Sequence, residues 1–115
     1  MADRPASGRL KHRVAFDRRG TGSDGHGGTS TAFAEQFTCR AAYIHLRGGE
    51  TVQAARLEGR HPQIIRVRAS SSSDQVSTDW RIRDRDTGAV FAIRDIERRD
   101  DGMYIDFLAE SGVAA

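Results

Sequence analysis

The sequence predicts a mainly β fold: a small closed or partly open antiparallel β-barrel of about six strands, with one short α-helix and two long loops. Three observations carry this. Apolar residues recur at every second position in several short runs, as in strands with one face toward a core. Turn chemistry separates those runs at barrel spacing, most sharply at Asp86-Thr87-Gly88 and Asp101-Gly102. The stretch from Phe37 to Arg68 changes period from strand to helix and back to strand. Closure is favoured because long open edges would invite pairing with other chains.

Residues 1–7 read as a tail, and the first strand begins near Arg9. Leu10, His12, Val14 and Phe16 alternate with Lys11, Arg13, Ala15 and Asp17, which predicts an apolar inner face and a polar outer one. From Arg19 to Ser30 there is no apolar residue, so this segment cannot offset its ordering entropy and is expected to be a mobile loop. Gly20, Gly22 and Gly25 match G-x-G-x-x-G by spacing. A nucleotide site needs a helix that opens there with its N-terminus on a phosphate, and Thr29 to Phe33 shows no helical apolar face, so the loop reading is preferred.

Phe37, Cys39, Ala41 and Tyr43 then line one face of a second strand. Glu50 to Glu58 holds good helix formers between Gly48-Gly49 and Gly59, which fits a short helix. Pro62 has no amide hydrogen and suits the start of a strand over Gln63 to Ala69. Ala69 to Asp79, with Ser70 to Ser73, is a second polar insertion, expected to be disordered and to fold on assembly. The last third is a meander: Trp80 and Ile82 oppose Arg81 and Arg83, Val90 to Ile96 returns, and Met103, Ile105 and Phe107 alternate with Tyr104, Asp106 and Leu108. Residues 111–115 are expected to fray. One domain over 1–115 is the prior at this length.

Composition narrows the function. Apolar residues make up 37% and charged residues 30%, which leaves a thin core and long solvated or partner-facing segments. Eighteen basic against 16 acidic residues give a formal charge of +2, too balanced for a chain whose main task is tracking phosphates. Lys11 is the only lysine. A single cysteine, Cys39, forbids an intrachain disulfide and sits on an apolar strand face, as a small hydrophobe would. No apolar run reaches membrane length and the N-terminus carries no hydrophobic signal region, so a soluble, unexported protein is expected.

The residues assemble no catalytic constellation, so no enzyme, cofactor or metal is expected. His12, His26, His45 and His61 lie in separate elements without ligand spacing. Ser70 to Ser73 have no base nearby in sequence, and the pairs Asp84 with Asp86 and Asp100 with Asp101 sit at turns, where Asp supports local backbone geometry. Arg66, Arg68, Arg81, Arg83 and Arg85 admit two readings. They pair across strands with Asp84, Asp95, Asp106 or Glu97, or they form a subunit interface of arginine forks. Mixed charge suits head-to-tail contacts in a closed ring, which favours the interface.

The order of pieces carries a resemblance: Gly8-Arg9-Leu10-Lys11-His12-Arg13-Val14, a Gly-rich loop ending in Gly27-Gly28, and the strand Cys39 to Leu46. Next come Gly48-Gly49-Glu50 with Ala54 and Ala55, Ile64-Ile65-Arg66-Val67-Arg68, and Gly88-Ala89-Val90-Phe91-Ala92-Ile93. In this order and over nearly its whole length, the chain resembles the head-tail joining, or head-closure, family of long-tailed bacteriophages. The resemblance implies a small β-barrel that assembles with itself as a ring beneath the portal-bound adaptor, closes the filled head and meets a tail terminator or tail-tube protein. It also implies a stopper role, with loops that retain packaged DNA in the channel without sequence specificity. The expected location is the neck of a virion or phage-like gene transfer particle, assembled in the bacterial host cytoplasm without a membrane. Partner or channel contacts are then expected from Arg19, Asp24, His26, Ser70, Ser72, Asp74 and Gln75, and subunit contacts from the arginines above. The alternative is a small barrel that binds nucleic acid, with Phe16, Tyr43, Trp80 or Phe91 as stacking residues.

Overall fold

Six antiparallel strands close on themselves in the order β1-β2-β3-β6-β5-β4. The computed structural model describes residues 10–20, 32–46 and 49–112. The strands are β1 (His12–Arg19), β2 (Phe33–His45), β3 (His61–Arg68), β4 (Arg81–Asp84), β5 (Val90–Arg98) and β6 (Tyr104–Ser111), with helix α1 (Glu50–Leu57) between β2 and β3. The closing seam is β1 against β4, where Val14 faces Asp84 and Phe16 faces Ile82. The barrel of six strands and one short helix read from period and turn chemistry is therefore the fold observed.

Alternation fills the barrel. Phe16 and Phe107 are fully buried at its centre, with ring centroids 5.1 Å apart, and Phe37 stacks on Phe16 at 4.8 Å. Ile65, Val67, Ile82 and Ile105 complete this layer. β1 starts at His12 rather than near Arg9, and β3 runs two residues ahead of the expected span, with Pro62 paired opposite Glu110. Met103, expected in the core, is 53% exposed because β6 starts after it.

A β-bulge explains why β2 begins four residues before the expected Phe37. Phe16 pairs with Phe37 but Asp17 pairs with Glu35, so Gln36 is an extra residue in β2. The extra residue reverses the parity: Phe37 points in, whereas Glu35 and Phe33 join the outer face beside Asp17 and Arg19.

The β1–β2, β3–β4 and β5–β6 connections all leave from one end of the barrel, because each strand runs opposite to its neighbours. Residues 69–80 cross that mouth, since β3 and β4 lie on opposite sides of the closed sheet. This segment corrects the expectation of a disordered arm. It bears a 3-10 turn at Ser73–Gln75, and Val76 and Trp80 drop into the core, each 6% exposed. Ser73 Oγ accepts from the Ser70 amide at 2.8 Å and lies 3.1 Å from the Arg68 carbonyl it donates to. The few apolar residues here suffice because they cap an existing core.

The other end holds α1 and the 85–89 turn. Ser111, expected to fray, is the last residue of β6 and pairs with His61. Gly112 follows at φ 85°, and a Cβ built on it would fall on the Gly59 carbonyl oxygen. Gly112→Ala is therefore expected to cost about 1–3 kcal/mol through strain and displacement of the turn after α1. A thermal midpoint unchanged from the parent would rule that out. Residues 113–115 and 1–7 lie outside the described residues.

Candidate functional site

The outer wall formed by β2, β1 and β4 gathers charged residues that sequence reasoning scattered between separate roles. Asp17 lies at its centre, 1% exposed, although alternation placed it on a polar outer face. It accepts from Arg81 Nε at 2.8 Å and from Arg83 Nε and Nη2 at 3.1 and 3.2 Å. Arg83 also donates to Glu35 Oε1 at 2.8 Å, the residue that the bulge turned outward. Toward the mouth, the guanidinium carbons of Arg81 and Arg19 lie 4.4 and 5.0 Å from the Phe33 ring centroid. The two arginines of β4 thus cover the β1 carboxylate and remove it from water.

Burial by itself pushes the Asp17 carboxyl up, but hydrogen bonds and charge from Arg83 and Arg81 outweigh it and hold the group below its ordinary value. Asp84 follows the same pattern. Burial pushes it up; the Tyr43 hydroxyl at 2.6 Å and the Thr87 and Asp86 amides outweigh that and lower it. Tyr43 is raised in turn by burial and by Asp84, and its ring stacks on His12 at 3.9 Å. Both carboxylates contribute stability that is complete above about pH 4 and is lost as pH falls through their lowered folded values. Asp17→Asn is expected to flatten the acid limb of a stability-versus-pH curve below about pH 4 while lowering stability at neutral pH. Parallel curves for parent and variant would remove Asp17 from this account.

The remaining predicted residues fall in different places. Arg66 is buried in a two-pronged pair with Asp106, its partner across β3 and β6. Of the cross-strand acids expected for the arginines, Asp106 is used in this way by Arg66, whereas Arg81 and Arg83 turn to Asp17 and Glu35. Arg68 lies 5.9 Å from the Tyr104 ring centroid, and Arg85 is exposed after β4. Asp74 pairs with Arg98 at 2.5 Å across the mouth, and Gln75 is exposed beside it. Ser70 is tied to Ser73, whereas Ser72 is half-buried. Asp24 and His26 lie outside the described residues.

Phe16, Trp80 and Phe91 are buried in the core, so these three stacking candidates present no platform to a nucleic-acid base. The Cys39 thiol is pushed up to about 11 by burial, far from a nucleophile's range. Among the described residues no three His, Cys, Asp or Glu side chains group as metal ligands, and no helix is long and apolar enough to cross a membrane.

Residues 5–112 match the family model of the phage head completion protein. The chain belongs to that family. A structural role at the head-tail region of a phage-type particle, with other head and tail proteins as neighbours, comes with membership. Solved structures of similar fold include two. A chain of the virion of a native gene transfer agent particle is 24% identical, at TM-score 0.66, over 97% of this chain and 100% of that one. A protein from Shigella flexneri 2a, solved in solution, is 16% identical, at TM-score 0.69, over 96% and 100%. No curated protein matches.

Proposed function

We propose that this head completion protein forms a homo-oligomeric ring at the neck, between a portal-bound adaptor and a tail terminator or tail-tube protein. There it closes the filled head and acts as a stopper that retains DNA. The observation that carries this reading is the common mouth: β1–β2, β3–β4 and β5–β6 turn at one end, so one face can meet a neighbour or a channel. Arg19, Asp74 and Gln75 lie at that end, and Asp24, His26, Ser70 and Ser72 belong to the same connections. The similar fold of a chain from a gene transfer agent virion supports a place in a phage or phage-like particle.

Electron microscopy of portal, adaptor and this protein mixed together tests the reading. The expected result is an added ring below the adaptor, and particles made without the protein should lose packaged DNA. A neck without this chain would overturn the proposal, and full DNA retention in its absence would remove the stopper role.

A further inference from the structure

The two walls of the barrel carry opposite unpaired charge. Arg40 and Arg13 are cross-strand partners on β2 and β1, and the Arg85 amide donates to the Arg13 carbonyl, so three arginines form one outer row. Arg13 shares its charge with Asp86 at 2.9 Å. Arg40 and Arg85 are exposed and make no ion pair among the described residues.

On the other wall Asp95 and Glu97 point outward from β5, opposite Leu108 and Asp106 of β6. Both acids are exposed and make no ion pair among the described residues, whereas Asp106 is matched by Arg66 and Arg99. Beside them Ile64 and Leu108 pair across β3 and β6 and floor a groove of about 190 Å³. In the strand order β1 is diametrically opposite β6, and β2 opposite β5. The arginine row and the acidic groove are therefore on opposite sides of one molecule.

We infer that copies of this chain join head to tail, the Arg40–Arg13–Arg85 row of one copy against the Asp95–Glu97 groove of the next. A second copy is the occupant because it carries, on its opposite wall, the charge complementary to each of these walls. A two-fold contact would set like charges together, whereas a heterologous contact sets opposite ones and repeats until the rotation closes. The arginine stems have apolar Ile64 and Leu108 to lie on while their heads reach the carboxylates. The inference rests on the ring reading above and adds which walls meet.

Charge reversal with mixing tests it on the full chain, with native mass spectrometry and sedimentation as readouts. R40E/R85E carries two negative walls and D95R/E97R two positive ones. Each alone is expected to associate at least about tenfold more weakly than the parent. Their equimolar mixture is expected to recover association in rings of even copy number, with the two variants alternating. Circular dichroism checks that each variant is folded, and the milder R40Q/R85Q and D95N/E97Q replace any that is not. A parent that assembles while both variants assemble equally well overturns the wall assignment and leaves the ring standing. Folded variants whose mixture fails to recover also overturn it. A parent that stays monomeric at every concentration overturns the ring and this inference together.

Discussion

Asp106→Ala is expected to lower stability by about 3–5 kcal/mol, because it takes the buried carboxylate away from a buried guanidinium. Arg66 donates to the two Asp106 oxygens at 2.6 and 2.9 Å, and the residues are only 7% and 4% exposed. The planar fork matches the carboxylate, so each group satisfies the other's strongest demand. Arg99 reaches the same carboxylate at 3.3 Å, so losing Asp106 takes an anionic partner from two cations. The pair itself has little net value over a well-packed apolar replacement. Arg66→Met with Asp106→Leu is accordingly expected to recover most of the loss. Urea unfolding of the single and double variants measures this directly, and a single variant within about 1 kcal/mol of the parent would show the pair to be dispensable.

Phe107→Ala is expected to cost a further about 3–5 kcal/mol, the range for emptying an aromatic site in a packed core. Phe107 faces Ile65 on β3 and Ile96 on β5 while its ring meets Phe16 on β1, so three strands lose a shared neighbour. Domains of this class hold only about 5–15 kcal/mol in total, and the variant should melt many degrees lower. Met103→Ala is the matched control. Its side chain is 53% exposed and should leave the melting temperature nearly unchanged. Equal midpoints for the two variants would mean that the layer around Phe16 does not hold the barrel together.

Features set by near neighbours in sequence were legible. The period of two gave the strands, Asp101-Gly102 the hairpin, and the glycines around Glu50 the helix. What required distant partners was not. Asp17 reads as a surface residue because its covering arginines lie 64 and 66 positions away. The bulge at Gln36 changes parity without changing composition, so Phe33 and Glu35 carried no local signal for the outer wall. The serine segment looked structureless because its buried apolar anchors, Val76 and Trp80, stand in a polar context and its other ties are hydrogen bonds and an ion pair. Of the candidate site, residue types and the arginine pattern were visible, but the division into a neutralised hub at Asp17, a buried pair at Arg66 and an outer row at Arg40, Arg13 and Arg85 was not.

The seam between β1 and β4 sets the timing of folding. Val14 must find Asp84, and Phe16 must find Ile82, after β2, α1 and β3 have emerged between them. Loop closure over such a span is entropically slow, and barrels dominated by non-local pairing fold in about milliseconds to seconds. Until the seam forms, β1 and its hairpin partner keep an unpaired edge and an open apolar face. Newly made chains therefore pass through an aggregation-exposed interval before the seam closes.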